Sequence, residues 1–291
     1  VVGDSLASGL QALLNRQDPE SALEHLVSAV GEAARRGEDP GGWGYVLNFV
    51  TREGHRRGRC TQIDEALATW MSSLEGRWGK EHPVLKPLLW TASQHCLLHG
   101  SYDEAEANLR RAVAITEKVQ GLEHPELPGE LEGLARLLHS RAGQEKGEAR
   151  QVRLEQAREL RLRALALAEQ LRLDLDRRLV ELAALHADMD LDDQAAGFFR
   201  RACDLCRAGR RRVDRLALFG HLQSFARFQV ERGRYREALQ LLDEALREGE
   251  SILPGPERMA RLLKDMAQLC LLTGDEERSR HLRRRAAELE G

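Results

Sequence analysis

Long apolar runs and aromatic residues are both scarce in this chain: Phe, Trp and Tyr make up 4% of its 291 residues. No stretch approaches the ~20 apolar residues needed to cross a bilayer, so no membrane span is expected. Runs of Val, Ile, Thr and Tyr, the mark of strands, are missing too. Cysteine is sparse and odd in number. Cys60, Cys96, Cys203, Cys206 and Cys270 are too scattered for a disulfide framework, which points to a reducing, cytoplasmic setting. The opening Val1-Val2-Gly3-Asp4 lacks the basic and apolar regions of a signal peptide. It also lacks Met, so the chain reads as trimmed or as part of a longer protein. A net charge of -3 gives no bulk attraction to nucleic acid or to an anionic membrane, and neither is expected as a partner.

What is present favours helix. Leu, Ala, Arg and Glu dominate, and these side chains lose little rotamer freedom in a helix. The sequence also repeats. Gly79-Lys80-Glu81-His82-Pro83 returns as Gly121-Leu122-Glu123-His124-Pro125, a shift of 42 residues. Pairs of small residues seven apart recur at Ala22/Ala29, Ala66/Ser73, Ala105/Ala112, Ala157/Ala164, Ala195/Ala202, Ala238/Ala245 and Ser279/Ala286. Their first members are 44, 39, 52, 38, 43 and 41 residues apart. Seven residues is two helical turns, so each pair offers one face for close approach of a second helix. Twelve residues earlier another small residue often stands: Gly54, Ser93, Ala183, Ala226 and Ala267. Between the two helices fall Gly100, Gly233 and Gly274, suited to the left-handed conformation that ends a helix. Ser101 and Asp275 follow as candidate caps. The unit is a helical hairpin, and a fixed period of this size means stacked repeats.

The segments Gly100-Ser101-Tyr102-Asp103-Glu104-Ala105 and Gly233-Arg234-Tyr235-Arg236-Glu237-Ala238 resemble the tetratricopeptide repeat. The 42-residue shift and the Glu-His-Pro junction are similar to the longer-helix variety found in kinesin light chains. The match is weaker in the first two repeats, where Gln17 and Thr61 stand in place of the turn glycine. The resemblance implies an all-α fold: a single right-handed α-solenoid over residues 1–291, with about seven hairpins at 4–36, 43–76, 83–120, 125–171, 173–209, 212–252 and 255–290. Gly143 to Gly147 interrupts the fourth hairpin, as a longer loop or a helix extension. Asp39-Pro40-Gly41-Gly42 breaks the early repeats. Pro83, Pro125 and Pro256 sit near helix starts, where a missing N–H costs nothing.

Sites of chemistry are not apparent. Cys203-x-x-Cys206 has no second ligand pair nearby and falls mid-helix, so both read as packing thiols. His82-Pro83 and His124-Pro125 recur at equivalent places, which a role at helix starts explains. The other histidines read as scattered, with none forming His-x-x-x-His or His-Glu-x-x-His, and no metal or cofactor is expected. Gly41-Gly42-Trp43-Gly44 lacks the ending of a phosphate loop. Asp192-Asp193 suits a helix N-terminus. The basic runs Arg56-Arg57-Gly58-Arg59 and Arg210-Arg211-Arg212 read as solvated charge at helix C-termini.

In the resembled family the first helix of each hairpin lines a concave, peptide-holding surface. Counting from the small residue in each first helix carries that surface onto Arg52 and His55, Trp90, Thr91 and Gln94, Glu132 and Arg136, Val180 and Glu181, Gln223, Ser224 and Arg227, and Lys264, Asp265 and Gln268. Arg177 and Arg261 lie one turn back. Among these, six are basic (Arg52, Arg136, Arg177, Arg227, Arg261, Lys264) and three acidic (Glu132, Glu181, Asp265), a mildly basic groove in a mildly acidic chain. The expectation is a non-enzymatic scaffold or adaptor that holds a partner protein or an acidic or C-terminal peptide, with Trp90 as apolar anchor. The alternative is a sensory or regulatory repeat domain of a larger protein, whose groove takes a small peptide or ligand and changes curvature. Both ends expose repeat faces, which leaves self-association open.

Overall fold

A computed structural model describes residues 51, 52, 55, 56, 58, 60–209, 211–252 and 255–290. The hairpin expected at 4–36, the break at Asp39 to Gly42, and Gln17 and Gly54 lie outside the described residues. The described residues are helical, with no strand among them. The helices are α1 (Cys60–Trp78), α2 (Lys86–Leu98), α3 (Tyr102–Ile115), α4 (Leu127–Ala142), α5 (Gly147–Gln170), α6 (Asp176–Asp188), α7 (Asp192–Ala208), α8 (Arg212–Glu231), α9 (Tyr235–Ile252), α10 (Pro256–Leu272) and α11 (Glu276–Glu290). Helices α2/α3, α6/α7, α8/α9 and α10/α11 pack as hairpins at the expected places. The chain divides into two compact units, residues 1–153 and 154–291, with the boundary inside α5.

Most of the small residues do what their spacing requires, although Ala66 and Ser73 are only half-buried and Ala22 and Ala29 lie outside the described residues. Ala105, Ala112, Ala157, Ala164, Ala195, Ala202, Ala238, Ala245, Ser279 and Ala286 are all buried, as are Ser93, Ala183, Ala226 and Ala267 on the first helices. The backbones come close enough that Ser279 Oγ on α11 donates to the carbonyl of Ala267 on α10 at 2.8 Å. Leu and Phe side chains fill the space around these contacts, as where Phe199 stacks on Phe225 at 5.1 Å.

The turns follow the same logic. Gly100, Gly233 and Gly274 all take positive φ (76, 72 and 84°), which a Cβ would oppose. Between α6 and α7 Asp190 takes φ 57° instead, a conformation that Asp tolerates better than most residues. In the second repeat the left-handed residue is Gly58, at φ 71°, and Thr61 lies inside α1 rather than at the turn. A glycine three residues earlier in the chain thus performs the turn, and α1 gains a turn at its start. Asp275 caps α11 by accepting from the N–H of Arg278 at 3.0 Å. Ser101 makes no such bond; Asp103 and Glu104 supply the negative charge that the first turn of α3 favours.

The His-Pro pairs mark helix starts. His82 Nδ1 accepts from the N–H of Val84 at 3.2 Å, and His124 Nδ1 accepts from Glu126 at 3.4 Å, the same bond in successive repeats. The irregular segment holds a turn at Gly143 and Gln144 and two connecting residues, and Gly147 then opens α5, which runs for 24 residues. Arg211 and Arg212 are not at a helix C-terminus but at the start of α8, against the dipole. Asp214 compensates by pairing with the Arg211 guanidinium at 2.8 Å. Arg212 reaches the C-terminal end of α9 instead, donating to the carbonyl of Ile252 at 2.9 Å.

Candidate functional site

Helices α8 and α10 are the first members of the last two hairpins, and a groove of about 710 Å³ opens between them. That volume suits an extended peptide segment or a small ligand. Six of the residues expected on a binding surface line it together, among them Gln223 and Arg227 from α8 and Arg261 and Gln268 from α10. Ser224 and Asp265 are the other two. The floor is apolar, built from Leu216, Phe219, Leu269 and Leu272. Leu216 and Leu272 are exposed there, a cost in water unless something covers them.

The groove carries more positive than negative charge. Arg227, Arg258 and Arg261 line it against the one carboxylate of Asp265. Burial pushes the Asp265 carboxyl above its ordinary range, and Arg261 partly opposes this. Among the described residues no ion pair engages Arg227 or Arg258. Gln223 and Ser224 donate back to their own helix, to the carbonyls of Phe219 and Gly220, both at 3.1 Å. Gly220 has open space where a Cβ would stand, so backbone is accessible at the groove wall.

The other expected residues lie elsewhere or are engaged. Lys264, on α10, is held by Glu290 at 2.6 Å and does not line the groove, so its charge is neutralised. Glu181 pairs with the buried Arg161 at 3.0 Å. Trp90, half-buried on α2, sets the Cζ3–Cη2 edge of its ring against Gly133 of α4, where a Cβ would meet Cζ3 at 2.4 Å. Gln94 is half-buried on α2, Arg136 exposed on α4, and Arg177 exposed on α6. Arg52 is exposed, and His55 faces Cys60, Nδ1 to Sγ at 3.5 Å.

Sequence reasoning missed Arg258, Leu216 and Leu272. Arg258 precedes Arg261 by three residues, one turn on the same face, which is the signal that would have found it. Cys203 and Cys206 are buried, and burial pushes their thiols up to about 11 and about 12. They are packed thiols rather than nucleophiles.

No family model matches the sequence, and no curated protein matches it either. Solved structures do match. A Podosopora anserina protein of nearly identical TPR-like repeats, titled as a kinesin light chain, is 19% identical with a TM-score of 0.58, over 71% of this chain and 94% of that one. A tetratricopeptide repeat protein from Parabacteroides merdae is 16% identical with a TM-score of 0.54, over 99% and 93%. A Signal Transduction ATPase with Numerous Domains from Pyrococcus horikoshii, with a tetratricopeptide repeat sensor, is 12% identical with a TM-score of 0.64, over 97% of this chain and 41% of that one. The chain has the tetratricopeptide-repeat fold. Among the described residues no helix is long and apolar enough to cross a membrane.

Proposed function

We propose that this chain is a protein-interaction scaffold and that the groove between α8 and α10 binds an extended acidic peptide of a partner protein. The observation that carries this reading is the combination of an exposed apolar floor with three arginines against one aspartate. Aliphatic side chains of a peptide would cover Leu216 and Leu272, while its carboxylates would meet Arg227, Arg258 and Arg261. The acid-binding side chains stand on helices, so they are positioned before the peptide arrives.

The test is a library of labelled extended peptides that differ in the number of Asp and Glu residues. Fluorescence anisotropy should show affinity rising with acidic content and falling with salt. The double variant Arg227→Glu/Arg261→Glu should lose acidic-peptide binding by more than about tenfold, as removal of two charge-assisted contacts implies. Equal affinity in the double variant would end the electrostatic reading.

A second reading has one specific support: the likeness to the structure with a tetratricopeptide repeat sensor. On that reading the same groove takes a short anionic ligand and the chain is a regulatory part of a larger protein. The two readings separate by length dependence. A scaffold groove gains affinity as the peptide is extended, whereas a sensor groove saturates with a short one.

A further inference from the structure

His55, Cys60 and His99 bring three donor atoms within 4.8 Å of one another in the first unit. His55 precedes α1, Cys60 is the first residue of α1, and His99 is the C-cap of α2. Cys60 Sγ lies 3.5 Å from His55 Nδ1, and the His55 and His99 rings meet edge to face at 5.2 Å. His55 and Cys60 are half-buried and His99 is exposed, so the set opens to solvent on one side.

A third imidazole adjoins them. The His95 ring stands 4.6 Å from that of His99. His95 is 2% exposed, and its Nε2 is bonded to Asp64 Oδ1 at 2.8 Å. Its Nδ1 is buried and has no hydrogen-bond partner. A carboxylate on one nitrogen fixes the imidazole tautomer and leaves the lone pair on the other, the arrangement that supports histidines in metal sites. Buried polar atoms are otherwise almost always paired, so this nitrogen requires a reason.

We propose that His55, Cys60 and His99 bind a divalent transition-metal ion, with zinc the best match. Two imidazoles and a thiolate are borderline-soft donors that suit zinc and exclude calcium and magnesium, which take oxygen. Metal–ligand bonds of about 2.0–2.3 Å require the donors to close in by roughly 1 Å, within reach of side-chain rotation. Binding exchanges the S–H bond of Cys60 for an S–Zn bond and releases the proton to solvent. Cys60 opens a helix, where the backbone dipole favours an anionic ligand, and His99 closes one, where it favours the cation. The ion would tie the start of α1 to the end of α2. His95 and His99 form a His-x-x-x-His spacing at the end of α2 that the reading of the histidines as scattered missed, and of the two His99 is the proposed ligand.

A second cluster, Asp176, Cys206 and His221, provides the control. There His221 and Asp176 already satisfy each other at 2.8 Å. The full chain, stripped with chelator, is titrated with zinc by calorimetry and with cobalt by absorption spectroscopy. The expected result is one tight equivalent, with a thiolate-to-cobalt charge-transfer band and the intense visible bands of tetrahedral cobalt. Cys60→Ser and His99→Ala should each weaken zinc at least about tenfold, and Cys60→Ser should abolish the charge-transfer band. Cys60→His should restore zinc without that band, which shows that loss in the first variants is not misfolding. Cys206→Ser/His221→Asn should bind as the parent does. Absence of binding, unchanged affinity in Cys60→Ser and His99→Ala, or loss in the Cys206/His221 variant instead would each overturn the proposal.

Discussion

Replacing Gly133 by Ala tests the packing of the first unit, because the sign of the effect depends on one ring. Two terms compete. In a helix interior Ala is favoured over Gly by roughly 0.5–1 kcal/mol through backbone entropy. Against this, the new methyl would sit 2.4 Å from Trp90 Cζ3 and 2.9 Å from Cη2. An indole cannot bend away, so either the helices separate or Trp90 leaves its place. Overpacking of this kind costs about 1–3 kcal/mol. Gly129, on the same helix α4, has open space where its Cβ would stand and measures the favourable term alone. Gly129→Ala should therefore stabilise by up to about 1 kcal/mol, and Gly133→Ala should lie about 1–3 kcal/mol below it.

Urea denaturation followed by far-UV circular dichroism reads both, compared at midpoint with equal slopes. A cycle with Trp90→Ala assigns the cause: in that background Gly133→Ala should regain the benefit seen at Gly129. If Gly133→Ala is as stabilising as Gly129→Ala with Trp90 intact, the ring does not lie where the structure puts it. The outcome also bears on function, since a ring whose Cζ3–Cη2 edge is held against Gly133 has that edge committed to packing.

Further expectations concern buried charge, thiols and pH. Glu106 is 4% exposed and accepts from Arg141 at 2.6 Å and from Arg153 at 3.3 Å. Arg141 retains Asp103 at 2.8 Å, so Glu106→Ala should cost about 2–3 kcal/mol, below the full cost of a broken buried pair. Glu81→Ala, which removes the exposed pair with Lys118, should change stability by less than about 1 kcal/mol; equal effects in urea would refute the distinction. A thiol reagent at about pH 8 should modify native Cys203 and Cys206 last. With pKa values pushed up to about 11 and about 12, only about one Cys203 thiol in a thousand, and fewer at Cys206, are ionised there. His186 is 2% exposed, and burial lowers its pKa below 6.5, although its bond to the Leu182 carbonyl opposes this. Below 6.5 the unfolded chain then binds a proton that the native one does not. Stability should be full above that pH and fall as pH drops toward the native value. His186→Gln should flatten part of that fall in urea midpoints, and an unchanged slope would refute it.

How much of this was legible in the sequence depended on whether a residue's role is set by its own position or by its partner's. A small residue at a helix crossing is needed wherever two backbones approach, so Ala267 and Ser279 could be placed from spacing alone. So could Gly233, because a hairpin turn needs φ above zero at one point. Long side chains choose partners across the repeat, and for them position in one helix was not enough. Lys264 stood on the expected face and was taken by Glu290. Glu181 was taken by Arg161, and His55 turned to Cys60.

Yet the partner choice has its own period. In the second unit Glu169, Arg207 and Glu250 each stand twelve residues after the first small residue of the pair on their helix (Ala157, Ala195, Ala238). Their partners Arg201, Glu244 and Arg285 each stand six residues after the small residue of the next second helix (Ala195, Ala238, Ser279). The sign of the charge alternates between rungs, but the positions do not. All six side chains are partly exposed, so each pair contributes only about 0–1 kcal/mol and the ladder does not hold the fold together. What it can do is penalise a slipped register. Moving one second helix by two turns past its neighbour breaks these pairs at once, whereas the alanine face would still fit at that step of seven. The small residues fix how close the helices come, and the charged rungs fix which turn meets which.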